Sequence, residues 1–108
     1  MAINLRDGNT IYYAHSAAVK KGDIIFLDSN SYALFALNDA MANEQIAYSV
    51  SGVQGFKFDT TKAATLIQGA KAYYDTSKKQ VTDAAGTNAF YLGRVHGINS
   101  NVIEVKIN

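Results

Sequence analysis

Few side chains of this 108-residue chain could carry out acid–base catalysis. A hydrolytic triad needs a nucleophile beside a histidine that a carboxylate orients, and only His15 and His96 could act as the base. In "YAHSAA", strand alternation would point His15 and the adjacent serine to opposite faces. "RVHGIN", around His96, lacks the Gly-x-Ser-x-Gly turn of a serine hydrolase. We therefore expect both histidines to be structural or surface residues.

Asp28 and Asp75 are candidates for a glycosidase pair, which needs two carboxyl groups about 5 to 10 Å apart. Each follows a predicted strand and precedes Ser or Thr. At such positions Asp commonly accepts hydrogen bonds from the backbone of a turn. We predict this turn role for both residues, and the same reasoning applies to Asp39 and Asp83.

The sequence contains no motif for a cofactor or a metal ion. "SGVQGF" has two glycines, but it leads into a predicted strand rather than the helix that a phosphate-binding loop needs. The alternating acidic residues of a calcium loop are missing, and the lack of Cys excludes thiolate zinc sites and a cysteine nucleophile. We predict that the protein is not an enzyme and uses no cofactor.

Charge and hydropathy argue against two classes of partner. The chain has 10 Lys and Arg against 9 Asp and Glu, so its net charge of +1 gives no long-range attraction for nucleic acid. The longest uncharged runs, residues 8–19 and 45–56, are too short for a membrane span of about 20 residues. The amino terminus lacks the apolar core of a secretory signal, so we expect a product of the cytoplasm with neither nucleic acid nor membrane as partner.

Alternation of apolar and polar residues predicts mainly β-strands. In the terminal "NVIEVKIN" the apolar residues alternate with charged ones, and in "IAYSVS" with small ones, whose face could lie against another chain. One predicted hairpin consists of "DIIFLD" and "YALFAL", which are separated by Ser-Asn-Ser. A second consists of "AKAYYD" and "QVTDA", which are separated by "TSKK". A further strand is expected around "TIYYAH".

The predicted fold class is therefore all-β, a small barrel or sandwich of hairpins. Residues 60–68 are predicted to form either one short helix, capped by Asp59 or Thr60, or an irregular loop. No stretch has the composition of a linker, so we expect residues 1–108 to form a single β-rich domain, with residues 1–9 as a candidate N-terminal arm.

Glycine and aspartate recur at similar spacing in the two halves of the chain. Gly22 precedes Asp28 by six residues, and Gly69 precedes Asp75 at the same offset. The pattern predicts a pseudo-repeat of hairpin plus strand, with coincidence as the alternative.

Seven tyrosines are many for a chain of this length, and tyrosine is enriched in interfaces. In the adjacent pairs Tyr12-Tyr13 and Tyr73-Tyr74, strand alternation sends one ring to each face. One member would then pack in the core and leave the other for a partner. The alternative is that loops of the same chain cover both faces.

The run "GAKAYYDTSKKQVTDAAGTNAFYLGRV", together with "KKGDIIFL" and "NVIEVKIN", resembles the small capsid cement, or decoration, proteins of tailed bacteriophages. The likeness extends from Val19 to Asn108. It differs from the family pattern at Ala70, where Asp is frequent, and at Tyr74, where Trp is frequent.

The resemblance implies a virion protein on the outer surface of a phage capsid, made in the host cytoplasm. Its implied partner is the major capsid protein, bound near local three-fold axes by a homo-oligomer, a trimer, that stabilises the shell. A poorly patterned arm with apolar and basic residues can order against a neighbour by adding a strand, so the predicted contacts are Ile3, Leu5, Arg6, Tyr12 and Tyr13. The alternative function is a non-catalytic β-module that presents tyrosines to a glycan or another cell-surface ligand.

Overall fold

A computed structural model describes residues 10–108 of the chain. This part of the chain is all-β, as predicted, and contains nine strands and one short 3₁₀ helix. The strands are β1 (Thr10–Ala14), β2 (Ile24–Leu27), β3 (Tyr32–Ala36), β4 (Gln45–Ser49), β5 (Val53–Phe56), β6 (Lys71–Asp75), β7 (Gln80–Thr82), β8 (Ala89–Asn99) and β9 (Val102–Ile107). They form two antiparallel sheets.

The first sheet has four strands in the order β1-β4-β3-β2. β1 pairs with β4 along its whole length, from Thr10 opposite Ser49 to Ala14 opposite Gln45. The predicted hairpin of "DIIFLD" and "YALFAL" is present as β2 and β3. Its turn uses Asp28, Ser29 and Asn30 in the left-handed region, a conformation that Asn and Asp tolerate better than most residues.

The second sheet has five strands in the order β5-β9-β8-β6-β7. β9 therefore lies inside the sheet, and its apolar residues Ile103, Val105 and Ile107 are fully buried, as the alternation in "NVIEVKIN" predicts. The chain after β5 also pairs with the opposite end of the sheet, because Val81 of β7 donates to Lys57 O and accepts from Asp59 N. The two edges of this sheet are thus linked by one continuous segment.

The structure divides residues 10–108 into two compact units. One contains residues 10–25 and 34–51, and the other contains residues 26–33 and 52–108. A single domain for the whole chain stays a prediction, and the predicted arm at residues 1–9 lies outside the described residues.

Aromatic rings form a cluster in the second unit. The Phe26 ring lies 5.4 Å from Phe90 and 6.5 Å from Tyr74, and the Tyr74 ring lies 5.9 Å from Phe56. The same unit includes Asn108, whose side chain donates to Ala33 O at 2.7 Å and accepts from Ala33 N at 3.2 Å. Because Ala33 is fully buried, this amide satisfies two backbone groups that water does not reach.

The short helix considered for residues 60–68 is limited to a single 3₁₀ turn, and the rest of this segment is irregular. Only Thr60–Lys62 adopt a 3₁₀ turn, with Asp59 capping it through the Thr61 N–H, as expected for Asp59. The segment is rich in β-branched threonine, which is a weak helix former. Leu66 is its one buried residue, so no apolar face is available to stabilise further turns.

The pseudo-repeat is not supported by the strand order. In the first sheet β4 pairs with the second arm of its hairpin, β3, whereas in the second sheet β8 pairs with the first arm, β6. Gly22 and Gly69 do share a positive φ, of 94° and 87°. The repeated spacing of glycine and aspartate therefore reflects a common type of turn rather than a common topology.

Within residues 10–108, no helix has the length and apolar character needed to cross a lipid bilayer.

Gly93 should be the glycine of β8 that is least tolerant of substitution. A Cβ at this position would overlap the Lys106 carbonyl oxygen and lie 2.8 Å from its carbonyl carbon. These are backbone atoms of the paired strand, so they cannot move without disrupting the sheet. We expect Gly93→Ala to lower the free energy of unfolding by about 3 kcal/mol.

Gly97→Ala is the matched control for this measurement by urea denaturation. Gly97 lies in the same strand, and a Cβ there would meet nothing within 4 Å. It should change stability by less than about 1 kcal/mol. Equal losses for the two variants would show that the close approach at Gly93 is not a constraint.

Candidate functional site

The two histidines occupy positions without the surroundings of a catalytic base. His15 is half-buried, its ring lies 6.3 Å from that of Tyr13, and its backbone carbonyl accepts from Asn43 N. His96 is exposed at an irregularity in the pairing of β8 with β9. Among residues 10–108, no three His, Asp or Glu side chains come together as a metal site would require.

The candidate carboxylates hold turns. Asp75 Oδ1 accepts from Ser77 N at 2.9 Å, Ser77 Oγ at 2.7 Å and Lys78 N at 3.0 Å. Asp28 accepts from the Ser31 hydroxyl, mainly through its backbone carbonyl at 2.6 Å. Asp39 accepts from Lys21 N at 2.8 Å, so the predicted role as an acceptor of backbone hydrogen bonds is confirmed for Asp75 and Asp39. For Asp28 it is not, because its carboxylate accepts only from the Ser31 hydroxyl, at 3.4 Å.

Asp83 does not have the predicted turn role, because its partners are side chains rather than the backbone. Its carboxylate accepts from Thr65 Oγ1 at 2.6 Å and lies 4.0 Å from Lys62 Nζ. Hydrogen bonds also lower the pKa of two exposed carboxyls. In Asp59 the main cause is the Thr61 hydroxyl, and in Asp75 it is the Ser77 hydroxyl. These shifts favour the charged forms that the turns require.

The adjacent tyrosines of β1 lie on opposite faces, as alternation predicts. Tyr12 is 64% exposed, whereas Tyr13 is half-buried with its ring 6.2 Å from that of Tyr48 in an edge-on contact. The predicted contact role of both residues stays a prediction. The other predicted contacts, Ile3, Leu5 and Arg6, lie outside the described residues.

The face of the first sheet that carries Tyr12 is uncharged. It presents the outward residues of β1 and β4 and one residue of β3: Thr10, Tyr12, Ala14, Gln45, Ala47, Ser49 and Phe35. We call these seven residues the Tyr12 face. β1 is also an edge strand and has neither a charge nor a proline to discourage pairing with another chain. Such a face is suited to contact with another protein.

Tyr48 belongs to the other face of the first sheet, opposite to the Tyr12 face. Its hydroxyl is buried without a hydrogen-bond partner among the described residues. Burial raises its pKa above the ordinary value of 10.0, with smaller contributions from Tyr13 and Asp23. An unpaired buried hydroxyl is costly. It is therefore a local weakness in the first unit rather than a reactive group.

A second exposed feature was not found from the sequence. Lys71, Arg94 and Lys106 lie in one row across β6, β8 and β9, because Arg94 is opposite both Lys71 and Lys106. All three are exposed. The three cations are far apart in the chain and only the strand register brings them together, so no local sequence signal could have revealed them.

Comparison with known families decides the class of protein. Residues 5–101 match the phage cement proteins, which is most of the chain. The chain belongs to the phage cement protein family. This confirms the resemblance found in the sequence, and it gives the protein a structural, capsid-associated role in a bacteriophage.

Membership of the cement protein family also points to a non-enzymatic protein, in agreement with the turn roles of the candidate carboxylates. No curated protein and no solved structure matches the chain.

Replacing Tyr48 by Phe should stabilise this cement protein by about 1 kcal/mol, because it removes an unpaired buried hydroxyl and keeps the ring. The raised pKa predicts a further difference at high pH. Because the pKa of Tyr48 is higher in the folded protein than in the unfolded chain, Tyr48 ionises first in the unfolded chain. The folded protein therefore loses stability as the pH rises from the unfolded pKa, here 10.0, through the folded pKa. Wild type should therefore lose stability above pH 10 more steeply than Tyr48→Phe.

Urea denaturation at pH 7 and above pH 10 checks both effects, with the exposed Tyr12→Phe as control. Destabilisation by Tyr48→Phe at pH 7 would mean that the hydroxyl has a partner outside residues 10–108.

Replacing Asp75 by Asn should lower the melting temperature at pH 7, because the charged acceptor of three hydrogen bonds becomes neutral. Because the pKa of Asp75 is lower in the folded protein, its carboxylate stabilises the fold at pH values above the ordinary pKa of 3.8. This stabilisation is lost as the pH falls through the folded pKa. The two proteins should thus converge in acid.

Asp28→Asn makes the same charge change at a turn where the carboxylate has only a 3.4 Å contact, with Ser31. Calorimetry between pH 7 and about pH 2 should show little difference for this control. A pH-independent difference for Asp75→Asn would contradict the assigned charge effect.

Proposed function

We propose that the protein binds the outer surface of a phage head and stabilises the shell. The observation that carries this proposal is the family match over residues 5–101, which makes the chain a cement protein. The structure supports it with surfaces suited to contact rather than catalysis. The major capsid protein is the proposed partner, and the protein is made in the host cytoplasm before it joins the shell.

The Tyr12 face is the proposed contact surface in the first unit. Tyr12 is 64% exposed on an uncharged face, and a rigid aromatic ring supplies contact area at low entropic cost. Tyr13 has a supporting role in this proposal, because its ring packs against Tyr48 and so holds β1 in place.

The N-terminal arm is the second part of the proposed contact. It precedes β1, which is an edge strand among residues 10–108. We assign Ile3, Leu5 and Arg6 to contact with a neighbouring subunit, where apolar side chains and an arginine would add to main-chain hydrogen bonds. That neighbour is either the shell or another copy of the cement protein in a trimer around a local three-fold axis.

Stabilisation of the shell follows from mass action. A protein that binds only the assembled, expanded lattice stabilises that state by RT ln(1 + [L]/Kd) for each site. Many modest contacts per particle then add up to a large effect. No catalytic group, cofactor or nucleic acid is needed for this function.

Binding to a glycan or another cell-surface ligand is the alternative. The exposed Tyr12 ring favours it, because aromatic rings also bind apolar faces of small ligands. Saturable binding on a glycan array that Tyr12→Ser abolishes would support this alternative.

The first experiment mixes the purified protein with phage heads that lack it, before and after expansion, and sediments each mixture through a gradient. We expect co-migration in fixed stoichiometry with expanded heads. Tyr12→Ser should weaken binding by about 2 kcal/mol, or roughly thirtyfold in Kd, while Tyr32→Ser serves as the control for loss of an exposed tyrosine.

Deletion of residues 1–9 should abolish binding and leave the melting temperature of the free protein nearly unchanged. A truncated protein that still decorates heads would exclude the arm as a contact. Failure of wild type to bind any head would contradict the proposed function and favour the ligand-binding alternative.

A further inference from the structure

Three cations lie side by side on the outer face of the second sheet. Lys71 is opposite Arg94, and Arg94 is opposite Lys106, so the three side chains span β6, β8 and β9 in a single line. Directly opposite residues in an antiparallel pair have Cβ atoms about 4.5 to 5.5 Å apart. We call Lys71, Arg94 and Lys106 the basic row.

The basic row is not neutralised within the described chain. No carboxylate of residues 10–108 lies within 4.0 Å of the charged nitrogen atoms of these three side chains. The one ion pair in this part of the chain joins Lys62 and Asp83. Arg94 Nη1 donates to Gly69 O at 3.2 Å, which holds the guanidinium but leaves its charge uncompensated. Like charges directly opposite each other destabilise a sheet. The isolated protein therefore gains nothing in stability from this arrangement.

The surroundings of the basic row are those of an interface. On the same face, Tyr73 and Tyr91 are half-buried cross-strand neighbours whose rings lie 5.9 Å apart, next to the cations along β6 and β8. Val53, 43% exposed, is opposite Lys106 on β5. Arginine and tyrosine beside an apolar residue are the composition of energetically important contact sites.

Two carboxylates share this face, and the first, Asp75 of β6, accepts hydrogen bonds from its own turn. The second, Glu104, lies two residues before Lys106, opposite Gly55 and Gly97. It is beside the row rather than between the cations, so the face has a net positive charge.

We propose that the basic row binds a carboxylate-rich segment of the shell subunit. Acidic side chains would remove the repulsion between the three cations, and Tyr73, Tyr91 and Val53 would supply the apolar part of the contact. That the acidic partner is the shell subunit rests on the proposed function. The basic row is a second contact surface, separate from the arm and the Tyr12 face.

A second copy of the chain fits this surface less well, because its carboxylates are occupied. Seven of the eight acidic side chains in residues 10–108 accept hydrogen bonds from their own chain: Asp23, Asp28, Asp39, Glu44, Asp59, Asp75 and Asp83. Nucleic acid also fits less well. With a net charge of +1, the chain lacks the extended positive field that draws proteins to a phosphate backbone.

The test uses the full-length protein and two variants with the same charge change. Lys71→Gln with Lys106→Gln removes the ends of the basic row, and Lys78→Gln with Lys79→Gln removes two exposed cations from the turn of the β6–β7 hairpin. Binding of a fluorescent oligoglutamate and of an oligothymidylate of equal length is measured by anisotropy at low and physiological salt. Amide NMR shifts locate the bound peptide.

We expect oligoglutamate to shift the amides around Lys71, Arg94 and Lys106. Its Kd should rise about tenfold in the basic-row variant and less than about twofold in the turn variant. Equal weakening in both variants would overturn the proposal, because only net charge would then matter. Tighter binding of oligothymidylate than of oligoglutamate would overturn it in favour of nucleic acid.

The same variants are then sedimented with expanded heads. Weaker binding of the basic-row variant, with a smaller dependence on salt than wild type, is the expected result. If wild type and both variants bind heads equally, the basic row is not a shell contact although the proposed function stands. If wild type binds no head but retains site-specific binding of oligoglutamate, the proposed function fails and the basic row keeps its preference for an acidic partner.

Discussion

The register between β8 and β9 is the constraint on which the five-stranded sheet depends. β9 lies between β5 and β8, and its inward side chains fill the second unit without solvent exposure: Ile103, Val105 and Ile107. A slip of one residue would expose all three and bring Glu104 and Lys106 into the interior. The same register brings the backbone of Lys106 so close to residue 93 that only glycine fits there. It also aligns the basic row, so the buried face determines which charges meet on the exposed face.

Polar groups in this protein mostly serve the turns between strands, which leaves function to the surfaces. Asp59 and Asp75 each accept hydrogen bonds from nearby backbone and hydroxyl groups, and these bonds lower the pKa of both carboxyls because they favour the charged form. Such structural use of carboxylates agrees with the structural role of the phage cement protein family. Tyr12 and the basic row differ from them, because neither improves the isolated protein. Features that contribute nothing to a chain by itself are the ones most readily explained by a partner.

Much of the fold could be predicted because period-two patterns determine strands locally. The alternation in "NVIEVKIN" and the turn residues of both hairpins sufficed to place β9, β2, β3, β6 and β7. The order of strands could not be predicted, since β4 and β8 pair with different arms of similar hairpins. A helix after Asp59 was suggested by its cap, but a cap alone does not supply an apolar face. The role of Asn108 and the basic row both depend on residues distant in the chain, which no local pattern reveals.

The interior position of β9 also constrains how the protein can be made. The strand nearest the end of the sequence holds β5 to β8, and β5 in turn continues into the segment that reaches β7. The pairings of β9 with β5 and β8 cannot form before β9 has been translated, whereas the contact of residues 57–59 with β7 does not require it. The five-stranded sheet is therefore completed late, and until then β5 and β8 each present an unpaired edge.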